Sequence, residues 1–331
     1  MLKKIMLFSF IGIMSISGQD NWETSPYFDT RFLQSYGKVK DSLMKDGFAE
    51  VSFLSLDGYL LKGLYRAHPD ATSNVILAAG FFPGRKEGMA SFVELLPKEC
   101  NILFLDARGH GDSNGPFWRT IMWYGQHEYK DIIGALHFLC EDNDLPNLLL
   151  GICIGAFHCA RASIYLEMHN LTAAYHVQGL IFDSGFGSIA HLKWVPTTHI
   201  NQKTLPHLCR SWVYTEDSRE SIKERYLYKI SSTITSGFTQ LATYVVSPFL
   251  EAADEETNLF NKIHMITIPV LYIHCKNDTY TPFDDVVSLA SKSSNSSHWW
   301  IDHSEHACHH LKFKQEYRDW LLEFIHKTIH T

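Results

Sequence analysis

Six short runs of consecutive apolar residues, each followed by a turn or a helix-length segment, constrain this chain more than any other feature. They are NVILAAG (74–80), NILFLDARG (101–109), NLLLGICIG (147–155), VQGLIFDSG (177–185), PVLYIHCKND (269–278) and HWWIDHSEH (298–306). A strand with one wet face alternates polar and apolar residues, whereas a strand covered on both faces does not. Such strands interleaved with helices build a parallel sheet through right-handed crossovers. Ahead of them, EVSFLSLD (50–57) and YLLKGLYR (59–66) nearly alternate on either side of Gly58, the pattern of an antiparallel hairpin. The expected class is α/β: a mostly parallel twisted sheet of about eight strands with helices on both faces.

Between the runs, YKDIIGALHFLC (129–140) places Ile132, Ile133, Leu136 and Leu139 at helical spacing. Residues 315–329 do the same with Tyr317, Trp320, Leu321 and Phe324, and both stripes read as core faces. One interval breaks the rhythm. Residues 188–263 separate two strands that a single crossover helix would join, and the patterns around 221–230 and 239–250 are helical and aromatic-rich. This interval is expected to be an inserted helical cap. No repeat or low-complexity linker divides the chain, so residues 19–331 are expected to form one domain carrying that cap.

Residues 1–18, MLKKIMLFSFIGIMSISG, have a basic start at Lys3 and Lys4, an apolar run over 5–16 and small residues at Ser15, Ser17 and Gly18. That is the grammar of a secretory signal peptide, and the run is shorter than the roughly 20 residues a spanning helix needs. An exported product with no stable membrane insertion after leader removal is expected. The 29 Lys+Arg against 36 Asp+Glu give a formal charge of −7, which argues against a nucleic-acid partner. The seven cysteines are odd in number and scattered, without Cys-x-x-Cys spacing, so no disulfide framework is expected. The 19 histidines are expected mostly on the surface or in loops.

Open parallel sheets bind ligands at the carboxyl ends of their strands. Three positions line up there. Gly151-Ile152-Cys153-Ile154-Gly155 has the form of the strand–turn–helix nucleophile elbow, with Cys in the usual place of Ser. A helix N-terminus behind Cys153 would favour its thiolate, and the Ile154 amide would face a developing oxyanion. Asp278 follows the run 269–275 and could orient an imidazole, with Asp183 at the end of IFDSG as the competing acid. His306 lies in the loop after the last run and is the expected general base, although His303, His309 and His310 crowd the assignment. A histidine cluster can also be a metal patch, but the ligand spacing of a zinc site is not evident, and no metal or cofactor is expected.

Together these residues resemble the α/β-hydrolase superfamily, over everything after residue 48. Asp106-Ala107-Arg108-Gly109-His110-Gly111-Asp112-Ser113 is similar to the D-x-R-G-x-G-x-S segment that follows the fourth strand in that family. Gly80-Phe81-Phe82-Pro83 resembles the loop after the third strand, which in the family supplies the second oxyanion amide; the resemblance implies Phe81 here, while Ala79 stands in place of the usual His. The family's cap commonly follows the sixth strand, where 188–263 falls. The Cys at the elbow is the main departure, and it is similar to dienelactone hydrolases and to the G-x-C-x-G box of polyhydroxyalkanoate synthases. Export would remove the acyl-CoA supply of the latter, and the inserted cap argues against the former.

The function so implied is cleavage of a small-molecule carboxylic ester or thioester through a Cys153–His306–Asp278 triad, with Phe81 and Ile154 as oxyanion donors. Two other readings stand beside it: Cys-dependent acyl transfer, and a binding or effector protein on an inactive hydrolase fold. Trp212, Tyr214, Tyr226, Phe238 and Tyr244 in the cap would suit an apolar acyl or aromatic group, or would simply pack the cap onto the core.

Overall fold

The computed structural model describes residues 30–80, 84–115, 125–189, 257–278 and 280–329, the first six of these for backbone alone. The leader, Phe81, Cys209, the aromatic residues expected in the cap and all but the ends of the cap lie outside the described residues.

Eight strands form one sheet: β1 (Ala49–Leu54), β2 (Leu60–Arg66), β3 (Ser73–Ala78), β4 (Cys100–Asp106), β5 (Asn147–Ile152), β6 (Val177–Asp183), β7 (Val270–Cys275) and β8 (Ser296–Ile301), in the order β1-β2-β4-β3-β5-β6-β7-β8. The pairs β1/β2 and β2/β4 are antiparallel, and every other pair is parallel. The hairpin closes through Ser55 N–H to the Tyr59 carbonyl at 2.8 Å, with Gly58 at φ +88°.

The continuous apolar runs have a plain physical reason. Along β3, Ile76 and Ala78 join one core, with the helices Tyr129–Asp142, Ile154–Met168 and Phe283–Lys292, while Val75 and Leu77 join the other, with Leu43 and the helix Lys314–Ile329. The same division repeats in β5, where Leu149 faces one core and Leu148 and Leu150 the other, and in β7, where Tyr272 opposes Leu271 and Ile273. Every residue of β3, β4, β5 and β7 is buried. The run at 298–306 departs from the expectation. Its strand starts at Ser296 and is mostly only part-buried, because β8 is the sheet edge and lacks a second neighbour.

The chain runs from β3 to β4 on one side and then crosses to β5 on the other, so the crevice between the ends of β3 and β5 is the topological switch point of the sheet. Across the undescribed residues 190–256, Leu259 N–H donates to the Gly187 carbonyl at 2.8 Å. No helix among the described residues is long and apolar enough to cross a membrane. None of the six described cysteines is in a disulfide, and five histidines (His110, His158, His274, His309 and His310) are buried.

Candidate active site

Cys153 stands between the last residue of β5 and the first residue of the helix Ile154–Met168. Its backbone is left-handed, at φ 56° and ψ −119°, a conformation that L residues keep only where the surroundings enforce it. Here Cys153 N–H donates to the Asp183 carbonyl at 2.8 Å, while the Cys153 carbonyl accepts from Ala156 N–H at 3.1 Å. The flanking glycines are demanded by close approach. A Cβ on Gly155 would lie 2.2 Å from the Ala78 carbonyl oxygen, and one on Gly151 would lie 2.4 Å from Ala156 N. The turn therefore presses the new helix against the end of β3 and leaves the partly exposed thiol at its N-terminus. Ile154, as first residue of that helix, has an amide without an intrahelical acceptor. Gly80 brings the loop after β3 alongside, since a Cβ there would be 3.5 Å from Cys153 Cβ.

Asp278 and His306 lie side by side. His306 Nδ1–H donates to Asp278 Oδ2 at 2.7 Å, and Asp278 Oδ1 accepts from the amides of Tyr280 at 2.7 Å and Thr281 at 3.0 Å. Burial would push the Asp278 carboxyl up, but the His306 hydrogen bond and charge, then His274, hold it below the usual carboxylate range. Burial likewise opposes a charged His306. The nearby Cys153 sulfur and the hydrogen-bonded Asp278 carboxylate overcome this and hold its pKa well above that of a free imidazole. With Nδ1 given to Asp278, Nε2 is the nitrogen left for the sulfur. The raised pKa of the imidazole favours its charged form beside the sulfur.

The competing residues are otherwise engaged. Asp183 accepts from Tyr317 Oη at 2.8 Å and Ser184 Oγ at 2.7 Å. His309 bonds Ser184 Oγ at 2.9 Å, His310 bonds Ser91 Oγ at 3.1 Å, and His303 is exposed. Among the described residues no group of three or more His, Cys, Asp or Glu is placed to hold a metal.

The segment 106–113 builds a buried polar network of its own. The Asp106 carboxylate accepts from Lys86 N at 2.7 Å, Lys86 Nζ at 2.6 Å and Asp112 N at 2.9 Å, and a Cβ on Gly111 would lie 2.3 Å from it. Arg108 spans Asp131 and Asp57, and Ser113 Oγ donates to the Asp106 carbonyl. Lys86, fully buried, was not singled out in the sequence; a lysine in a polar stretch carries no local sign that three carboxylates will surround it.

No protein-family model and no curated protein matches the chain. Solved structures do. An esterase from Pyrococcus furiosus aligns at TM-score 0.61 and 18% identity, over 85% of this chain and 91% of that one. An esterase from Exiguobacterium antarcticum aligns at 0.55 and 16%, over 84% and 99%. An enol-lactonase from Burkholderia xenovorans aligns at 0.54 and 15%, over 82% and 99%. With the sheet order above, these likenesses establish the α/β-hydrolase fold.

Proposed function

We propose that this protein hydrolyses carboxylic esters or thioesters of small molecules through an acyl-enzyme on Cys153. The observation that carries the reading is the His306–Asp278 hydrogen bond at the strand ends, with Cys153 near enough to act on the same imidazole. The Cys153 thiolate would attack the carbonyl carbon, and the amides of Ile154 and Phe81 would hold the oxyanion. His306 would protonate the leaving alkoxide or thiolate, then take a proton from the water that attacks the thioester and frees the acid. The structural neighbours described above, two esterases and an enol-lactonase, support a hydrolytic use of this fold. The leader-like residues 1–18 support an activity outside the cytoplasm.

The test is turnover of p-nitrophenyl esters and acyl thioesters of increasing chain length by wild type and Cys153→Ala. Loss of turnover in the variant supports the reading. Acceleration by an alcohol or amine acceptor would move it to acyl transfer. Equal rates in both proteins, with Cys153 unreactive to alkylation, would leave a binding protein on a hydrolase fold.

A further inference from the structure

Five non-glycine residues among those described have positive φ, and three of them converge on the site: Cys153 at 56°, Ser184 at 54° and Ala307 at 56°. Ser184 sits where the three meet. It follows the last residue of β6, is fully buried, and its N–H donates to the Ile273 carbonyl of β7 at 2.9 Å. A hydroxyl has one proton to give and two lone pairs to fill, and Ser184 uses all three. It donates to Asp183 Oδ1 at 2.7 Å, and it accepts from Ala307 N–H at 3.2 Å and from His309 Nε2–H at 2.9 Å.

We propose that Ser184 is a positioning residue for the Cys153–His306–Asp278 site, its hydroxyl holding the left-handed turn that follows His306 and its backbone tying that turn to the other two loops. This rests on the hydrolase reading above. The three connections are separate. Ala307 is the residue directly after His306, so the bond to its amide sets where the imidazole enters the site, and the bond to His309 fixes the far side of the same turn. The Ser184 carbonyl accepts from Thr281 Oγ1 at 3.4 Å, and Thr281 is one of the residues whose amides hold Asp278. The residue before it, Asp183, receives the Cys153 amide on its carbonyl. The Asp183 carboxylate, gripped from the far side by Tyr317, fixes the direction of the Ser184 proton, which leaves the lone pairs for the His306 turn. Strained residues at a site persist where neighbours over-determine them, and here one hydroxyl does much of that.

The experiment compares Ser184→Ala and Ser184→Gly with wild type, Cys153→Ala and Tyr272→Phe. Glycine tolerates positive φ, so Ser184→Gly removes the hydroxyl without backbone conflict. Tyr272→Phe removes a part-buried hydrogen bond to Ser293 at the other end of β7 and controls for lost stability alone. Both Ser184 variants should lower kcat on the order of tenfold to a hundredfold with KM within about twofold, as displaced reacting groups do. They should also slow iodoacetamide alkylation of the Cys153 peptide at pH 7, followed by mass spectrometry. Tyr272→Phe should melt lower yet keep wild-type kcat and alkylation. Ser184 variants with native near-UV circular dichroism and unchanged kcat and alkylation would overturn the proposal, and so would failure of both to fold, which would make Ser184 a residue of the fold only. If wild type turns over esters no faster than Cys153→Ala, the hydrolase reading fails instead, and the alkylation rates still decide whether Ser184 positions the pair.

Discussion

His306 Nδ1 lies 2.7 Å from Asp278 Oδ2, whereas His274 Nε2 stands 3.9 Å from the same oxygen and is bonded to the Thr281 carbonyl at 3.1 Å. Burial, ahead of its other neighbours, keeps the His274 pKa low, so one imidazole bonds the carboxylate and the other packs beside it. Asp278→Asn keeps the shape but loses the acceptor that fixes the His306 tautomer. It should lower kcat on the order of a thousandfold while leaving the fold intact, as read by ester turnover and circular dichroism.

Cys153→Ser should lower the pKa of His306, measured from its ring resonances by NMR, because Cys153 is the leading influence that raises it against burial. The sign for stability follows. A folded-state imidazole pKa above the unfolded one contributes stability below about pH 6.5 and loses it as pH rises through the folded value. Cys153→Ser should therefore lose less stability than wild type on going from neutral to alkaline pH. Identical pH dependence in the two proteins would show that sulfur and ring do not interact.

The β3, β4, β5 and β7 strands were legible because burial on both faces leaves an uninterrupted apolar run, and the elbow because close approach of α-helix to strand requires glycine at 151 and 155. Asp278 and His306 were legible as residues at strand ends. The role of Asp183 was not: a carboxylate after β6 looks the same in sequence whether it reaches His306 or is taken up by Ser184 and Tyr317, and the choice depends on a helix 134 positions away. Lys86 escaped for the same reason, since its partners Asp106 and Asp112 come to it only through the third dimension.

Lys86 Nζ is 2.6 Å from both Asp106 and Asp112, and the Asp106 carboxylate is completely buried. Burial pushes the Asp106 pKa up even against the lysine charge, so removing that charge leaves an unpaired carboxylate in the core. Lys86→Met should cost about 3–5 kcal/mol in urea unfolding. Adding Asp106→Asn should restore part of the loss, because the buried charge goes with it. Additive losses in the double variant would show that the two side chains do not act as a pair.

Glu128 carries the opposite kind of strain. It is buried, and desolvation, then the negative charge of Asp131, push its pKa from 4.5 to about 7. His158 Nε2 is 3.9 Å away but offers no cation, since burial and nearby Arg161 hold its pKa well below the imidazole range. A carboxyl whose folded pKa is raised keeps more protons folded than unfolded, so stability falls as pH climbs from the unfolded value to the folded one. Below about pH 4.5 both states hold the proton, and above about pH 7 the folded state must carry a buried charge. Glu128→Gln keeps the size and an oxygen acceptor for the His127 amide while removing that charge. It should match wild type near pH 4.5 and become more stable by up to about 3 kcal/mol at pH 8, measured by urea unfolding across the range. A difference that stays constant with pH would show that Glu128 is ionised at its ordinary value and that Arg108 compensates its burial fully.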